Sequence, residues 1–330
     1  MRVAIVLLNW NGKGLLERFL PSVTACSGNA GIYVADNASS DGSVAFLQQD
    51  YPHIKIIPHS ENKGFAQGYN EALQQVEAEV YCLLNTDVEV TPDWLEPVLE
   101  QFKRDDAVAV IQPRLLDHNR KDYFEYAGAA GGFLDRYGFP FCRGRIFDAV
   151  ERDHGQYNDT TEIFWASGAC FFIRSRVFHR LGGFDEDYFA HQEEIDLCWR
   201  VHHAGYKVLY TGTSTVYHVG GATLSHTRPG KTYLNFRNSL FSLVKNLPKG
   251  RVFSTLFIRL ALDGVAGLRF LVRGEPRHCF AILKAHFHFY IRLGKMLKKR
   301  KAFTPTPHYY RTKSIVWAYF IVGKKYFHDL

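Results

Sequence analysis

The sequence predicts an α/β fold with a largely parallel central sheet, followed by a helical, basic and aromatic C-terminal region. Three observations predict it. Between Val3 and His218, short apolar runs alternate with segments of helical period. Most apolar runs in the first half give way to a polar loop, as strands do when they reach one edge of a sheet. Beyond about Tyr233, aromatic and apolar residues instead alternate with Arg and Lys at helical spacing. The first pattern is that of crossover-connected parallel strands.

The elements follow in order. Residues 3–8 read as a buried strand and 14–23 as an amphipathic helix. Residues 32–35 form a strand that stops on the polar turn from Asp36 to Gly42. A helix at 44–49, a strand at 54–57 and a helix at 64–76 come next. The run 80–84 is apolar enough for a buried strand and surfaces at Asn85, Thr86 and Asp87. Thr91-Pro92-Asp93 opens a helix, with an N-cap residue and proline at the first position. Residues 117–161 are rich in Gly, Asp, Arg and Tyr and read as loops and short strands, with a flap on the acceptor side as one reading. Order returns at 163–173 and 177–183. A helix at 192–204 closes on Gly205, and strands at 207–210 and 215–218 complete the α/β part. Helices are predicted at 234–246, 252–273, 278–295 and 314–325.

With 330 residues, 46% hydrophobic and 15% aromatic, the chain can build a large core, which excludes global disorder. A formal charge of +7 suits a phosphorylated substrate, an anionic membrane surface or a nucleic acid without choosing among them. The six cysteines are scattered without a Cys-x-x-Cys pair, which reads as reduced thiols in a cytoplasmic protein rather than a disulfide framework or zinc site. The N-terminal apolar run lacks a cleavage site and reads as a strand, not a signal. No stretch is apolar and long enough for a transmembrane span. The C-terminal helices, with the basic run from Lys295 to Lys301, carry two readings. They lie in the plane of an anionic membrane interface, or they form a subdomain packed on the catalytic core.

Six segments could carry chemistry. Asp87, at the end of a buried strand, can hold a divalent cation against a diphosphate; Asp and Asn also end strands simply by making turns. Asn9, Trp10 and Asn11 follow the first strand, where an indole and two amides can meet a nucleobase, or where Trp10 packs at a domain edge. Asp36 can accept a hydrogen bond from a pyrimidine ring, while Asp41-Gly42 is more simply a turn. Asn62, Lys63, Gly68 and Asn70 span the start of a helix, which favours anions; no Gly-x-Gly-x-x-Gly or Walker pattern is present. Glu193, Glu194 and Asp196 fall in the first turn of a helix, where the macrodipole favours acids. Asp196 can pair with Arg200 one turn on, which leaves one acid free to face a cleft. His218 follows a strand and can serve as a structural histidine or a nitrogen ligand.

Taken together, these blocks resemble the inverting family 2 glycosyltransferases of GT-A fold, in the rhamnosyltransferase-like group. The resemblance is carried by 5–12, 36–42, 62–70, 85–87, 165–169, 182–186, 193–200 and 218–221, over about residues 1–240. It implies a Rossmann-like GT-A domain at 1–235, divided into a nucleotide-sugar-binding half (1–115) and an acceptor-binding half (116–235). Residues 236–330 form the helical extension. It also implies roles. Asp36 recognises uracil or thymine, with Asn9, Trp10 and Asn11 beside it. Asn62, Lys63, Gly68, Asn70, Asn85 and Thr86 belong to the nucleotide site. Asp87 and His218 hold Mg²⁺ or Mn²⁺, and Trp165 and Gly168 line the acceptor side. Glu194 is the general base, with Glu193 and Asp196 as supporting acids. Two departures stand out: Asn85 occupies the position of a common first Asp, and Glu194 that of a commoner Asp.

The implied reaction moves one sugar, with inversion, from dTDP-rhamnose or a UDP-sugar to a hydroxyl of a glycan or lipid-linked acceptor in cell-surface polysaccharide biosynthesis. The expected location is cytoplasmic, peripheral on the inner face of the membrane, with no nucleic acid as partner. The alternatives are a sugar-nucleotide pyrophosphorylase, disfavoured because Asn9-Trp10-Asn11-Gly12-Lys13 replaces its Gly-rich loop, and a non-catalytic nucleotide-sugar-binding protein.

Overall fold

The computed structural model describes residues 1–220, 229–300 and 308–330. Gly221 of the His218 block and Lys301 of the basic run lie outside the described residues. The first half alternates β1 (Val3–Asn9), α1 (Lys13–Cys26), β2 (Gly31–Asp36), α2 (Ser43–Asp50), β3 (Lys55–Pro58), α3 (Gly64–Leu73) and β4 (Val80–Leu84). Then come β5 (Val88–Val90), α4 (Leu95–Arg104) and β6 (Val108–Asp117). A small sheet follows: β7 (Gly132–Leu134), β8 (Pro140–Cys142), β9 (Arg145–Ile146) and β10 (Ala149–Val150). The chain returns to the main sheet with β11 (Thr160–Glu162), β12 (Cys170–Arg174), α5 (Ser175–Leu181), α6 (Glu193–His203) and β13 (Lys207–His218). Four helices end it: α7 (Pro229–Asn246), α8 (Lys249–Val272), α9 (Pro276–Lys298) and α10 (Ile315–Phe320).

The main sheet runs β11-β13-β6-β12-β4-β1-β2-β3, with β5 paired to β13. Strands β3, β2, β1 and β4 are parallel, as are β6 and β13, while β12 runs against its neighbours. Register brings the polar loops together. Asn9 lies opposite Asp36, and Leu7 lies opposite Leu84 just before Asn85. On β4, Val80, Cys82 and Leu84 enter the core on one face, and Tyr81 and Leu83 enter the core on the other. A strand buried on both faces needs an apolar residue at every position, which explains the unbroken run.

Several elements differ from the sequence expectation or go beyond it. The helix after Thr91 starts later, at Leu95. The Thr91 hydroxyl donates to the Thr215 carbonyl (2.8 Å), and Asp93 takes φ 59°, so the segment serves the neighbouring strand before the helix begins. The strands at 207–210 and 215–218 are one, β13, with a register shift between Thr211 and Thr215. Its partner β6 is a ten-residue strand, buried along most of its length.

The C-terminal helices share a core with the sheet. Leu240, Phe241, Val244, Phe289 and Met296 belong to the same buried cluster as Trp199 and Tyr188. An ionic network reinforces this seam. Fully buried Asp196 accepts from Arg200 (2.9 Å) and Asn246 (2.8 Å) and pairs with Lys245 (2.8 Å). Lys245 also reaches Asp185 (2.6 Å), which meets Lys299. Asp187 receives Arg292 (2.7 Å), Lys295 (2.7 Å) and Lys299 (2.6 Å). Much of the basic C-terminal cluster therefore pairs inside the protein. None of the described helices is long and apolar enough to cross a membrane.

Burial opposes the charge on Asp196, but Lys245 and Arg200 outweigh it and hold this carboxyl far below the usual range. Removing one partner of such a buried cluster strands the others. Asp196→Ala should lower unfolding free energy by about 3–5 kcal/mol, read by urea denaturation. A loss under about 1 kcal/mol would show that the cluster does not hold the seam.

Candidate functional site

The site assembles at the ends of β1, β2, β4 and β13. At β1 the Asn9 amide donates to Asp36 Oδ1 (2.9 Å) and Ser39 Oγ (3.1 Å). Asp36 Oδ2 accepts from the Ser39 backbone (2.9 Å), and Asn11 Oδ1 from that of Ser40 (2.8 Å). These bonds join the first two loops into one surface. Trp10 stands 47% exposed on it, its ring available to a ligand. Gly12 makes the next junction possible: a β-carbon there would lie 2.5 Å from Asn9 Oδ1 and 3.7 Å from Thr86 Oγ1.

Asn85, Thr86 and Asp87 follow β4. Asp87 is buried, and its Oδ1 lies 3.1 Å from His218 Nε2 at the end of β13. Asn85 Nδ2 lies 3.5 Å from the same nitrogen. On the far side of the ring, His218 Nδ1 is 3.2 Å from Glu125 Oε1, a carboxylate that is also buried. Burial disfavours charge on this imidazole, but Glu125 and Asp87 overcome it and push His218 up to about 10. Burial likewise opposes the Asp87 charge, and His218 holds that carboxyl below the usual range.

Glu125 was not singled out from the sequence. It lies between β6 and β7 in a stretch without periodicity, and its flanking aromatics were the only signal of burial. A carboxylate behind an imidazole orients the ring and raises its basicity, as behind metal-bound histidines. The carboxylate oxygen of Asp87 and the nitrogen of His218, once its proton is displaced, suit Mg²⁺ or Mn²⁺. Among the described residues no three His, Cys, Asp or Glu side chains form a metal cluster. A cation here would complete its shell with ligand oxygens.

The other blocks pack around this centre. Asn62 Oδ1 accepts from the Gly64 backbone (2.9 Å) and shapes the entry to α3. Lys63 binds Glu71 through both oxygens (2.9 and 2.7 Å), so its ammonium is paired along α3. Gly68 lies against Asn37 of the Asp36 loop. Asn70 exchanges hydrogen bonds with the Phe184 backbone (2.9 Å each way) and ties α3 to the segment before α6. Gly168 lies against Phe65 of α3. Trp165 is buried and donates to the Phe133 carbonyl (2.9 Å), so its indole presents no face to a cleft.

The acids of α6 stand on strained backbone. Phe189, His191 and Gln192 have φ of 65°, 68° and 73°, a region L-residues occupy only when their surroundings enforce it. The surroundings are specific. Asn238 of α7 donates to the carbonyls of Tyr188 (3.0 Å), Ala190 (2.9 Å) and His191 (2.7 Å). The Phe189 carbonyl accepts from Phe65 (2.8 Å), and its ring fills the space that a side chain at Gly64 would need.

Glu193 and Glu194 follow directly. Glu193 is buried, and in both residues Oε2 is buried without a hydrogen-bond partner among the described residues. Burial, then the neighbouring Glu194 charge, holds Glu193 well above the carboxylate range. Burial pushes Glu194 up to about 7, although backbone N–H groups at the helix start and Lys231 oppose it. The Lys231 ammonium interacts electrostatically with both Glu194 and Glu125, which links the acid pair to the Asp87–His218 cluster. Asp196 faces away, into the ionic network already described.

Residues 4–182 match the model of the Glycosyl transferase family 2. The chain is 25% identical over 229 residues to N-acetylglucosaminyl-diphospho-decaprenol L-rhamnosyltransferase of Mycobacterium tuberculosis, covering 65% of this chain and 75% of that one. It is 24% identical to the low-salt glycan biosynthesis hexosyltransferase Agl10 of Haloferax volcanii, over 60% of this chain and 61% of that one. The fold is similar to that of GalNAc-T7, solved with UDP, GalNAc and Mn²⁺ (TM-score 0.60, 16% identity, 76% of this chain and 48% of that one). It is also similar to the mannosyltransferase PcManGT of Pyrobaculum calidifontis, solved with GDP-Man and Mn²⁺ (TM-score 0.54, 15% identity, 88% and 87%). With its match over more than half its length and the GT-A architecture of its sheet, the chain belongs to glycosyl transferase family 2.

Proposed function

We propose that this hexosyltransferase-type enzyme moves one sugar from dTDP-rhamnose or a UDP-sugar to a hydroxyl of a glycan or lipid-linked acceptor, with inversion, in cell-surface polysaccharide assembly. The observation that carries the reading is the pairing of two clusters. An Asp87–His218 couple ends the central strands, and a helix-start acid, Glu194, keeps an unpartnered oxygen. The rhamnosyltransferase named above favours a lipid-diphosphate acceptor and rhamnose. We divide the chain into a catalytic domain (1–235) and a helical extension (236–330), the latter on the inner face of the cytoplasmic membrane.

In this reading Asp36, fixed by Asn9 and Ser39, accepts from the pyrimidine ring, and Trp10 offers it an aromatic face. Asp87 and His218 would hold Mg²⁺ or Mn²⁺, with Glu125 orienting the imidazole. When bound, the cation offsets charge on the leaving diphosphate. Glu194 takes the proton of the acceptor hydroxyl as that oxygen attacks the anomeric carbon opposite the leaving group. A single displacement inverts that carbon and leaves no covalent intermediate. Burial and the neighbouring Glu194 charge raise Glu193 well above the carboxylate range, which favours Glu194 as the carboxylate that ionises near neutrality.

The experiment that tests this reading is a nucleotide-sugar panel assayed with Mn²⁺ and Glu194 variants. Glu194→Gln should lower the transfer rate about 10²–10⁴-fold while donor binding is kept. Glu193→Gln should cost far less; the reverse ranking would move the base to Glu193. A base ionises as pH rises, so the wild-type rate should climb through about pH 7 and flatten above it. A rate already flat between pH 5 and 8 would contradict Glu194 as base. Glu125→Gln should weaken Mn²⁺ binding about 10–100-fold, measured by titration calorimetry, and Asp87→Ala should weaken it further. Unchanged Mn²⁺ affinity in both would remove the cation from this site.

A further inference from the structure

Beside the catalytic loop lies a second concavity that the donor chemistry leaves unused. It is a cleft of about 720 Å³ between the Glu186–Tyr188 turn, α7 and α9. Four cations, Arg237, Arg292, Lys295 and Lys299, face only two carboxylates, Glu186 and Asp187, so the lining is positive in excess. Asp187 receives Arg292, Lys295 and Lys299, and Lys299 also meets Asp185 outside the lining, which leaves four cations against three carboxylates. Arg237 donates to the carbonyls of Asp187 and Tyr188 and to neutral side chains (Tyr233 and Asn238). One wall is Phe189, four residues before Glu193 along the strained loop.

Helix α9 explains what such a cleft is suited to. Lys284, His288, Arg292, Lys295 and Lys299 recur every three or four residues, so they share one face. Phe280, Leu283, Phe287 and Ile291 recur likewise on an adjacent face and are 58–67% exposed. Antiparallel α8 adds Phe253 (83% exposed), Phe257 (69%), Val265 (63%), Leu268 (63%) and Val272 (89%). An exposed apolar surface of this extent marks an interaction site. The cationic stripe runs along it and ends in the cleft.

We propose that this cleft receives the diphosphate of a lipid-diphosphate-linked acceptor, with its hydrocarbon tail lying along the exposed apolar faces of α8 and α9. This deepens the acceptor assignment above and rests on that reading. Arg292 and Lys295 meet the diphosphate oxygens, because planar guanidinium and ammonium donors suit phosphate. The sugar beyond the diphosphate then extends past Phe189 toward Glu194. No bond is made or broken in the cleft.

The test is calorimetric binding of farnesyl diphosphate to the full chain, against inorganic pyrophosphate and farnesol. Farnesyl diphosphate should bind at least about tenfold tighter than either. Arg292→Gln/Lys295→Gln should weaken it about tenfold or more, whereas Arg292→Lys/Lys295→Arg, which keeps the charges, should retain most of it. That conservative pair separates loss of charge from loss of folding. Asp87→Ala should leave binding unchanged. Equal binding of pyrophosphate would overturn the lipid part. Loss in Asp87→Ala but not in the Gln pair would put the diphosphate in the donor site and overturn the cleft. Donor hydrolysis without acceptor reports separately on the donor reading, so wild type that binds farnesyl diphosphate but hydrolyses no nucleotide sugar would sink that reading and leave the cleft standing.

Discussion

Docking of α7 and α9 onto the acidic segment between α5 and α6 is the interaction on which the rest of this structure depends. Asp185, Asp187 and Asp196 are buried or nearly so. Left without partners, each would carry a desolvation cost of several kcal/mol. Lys245, Arg200, Arg292, Lys295 and Lys299 supply those partners; Lys245 comes from α7, Arg292 and Lys295 from α9, and Lys299 from the residue just after it. Segment and helices therefore hold each other. The pairs are directional as well as attractive, so they set where the loop after Tyr188 must run.

That loop is where the backbone is strained. Three non-glycine residues with positive φ in a span of four are each costly, and they persist because Asn238 ties down the carbonyls of Tyr188, Ala190 and His191 around them. The result is that α6 begins where Glu193 and Glu194 enter a low-dielectric pocket. Their raised protonation range follows from this placement, since burial disfavours the charged carboxylate. The opposite logic rules at the strand ends. There two carboxylates flank one imidazole, and opposite charges keep Asp87 and Glu125 beside a basic His218. Acid-favouring and base-favouring environments are thus linked electrostatically through Lys231.

Much of the fold was legible because the chain obeys local rules. An unbroken apolar run at 80–84 reads as a strand covered on both faces, and its polar end reads as a sheet edge. Parallel register then brings Asn9 opposite Asp36, as expected for loops on the same edge. Less legible were features that need a distant partner. Thr91 looked like a helix cap, but the carbonyl of Thr215 on a neighbouring strand claims its hydroxyl. Lys63 looked available to an anion, yet Glu71 two turns along α3 takes it. The run around Lys295 reads as a basic face for an anionic membrane or for packing on the core, and its period along the chain does not reveal that Lys295 and Lys299 meet Asp187, over a hundred residues earlier. Glu125 had no local pattern, because its importance comes only from sitting behind His218.

The sequence by itself determined the fold class and the order of the polar loops, which follow from short-range periodicity, and pointed to the family through the resemblance of its motifs. Tertiary structure decided which charges are free and which are paired. It added Lys245 to the Asp196–Arg200 pair that the helical spacing already predicts, left Glu194 Oε2 unpartnered among the described residues, and placed Glu125 behind His218. The physical reason is that hydrophobic period is a property of neighbours along the chain. Ionisation and exposure depend on what the rest of the molecule brings within a few ångströms.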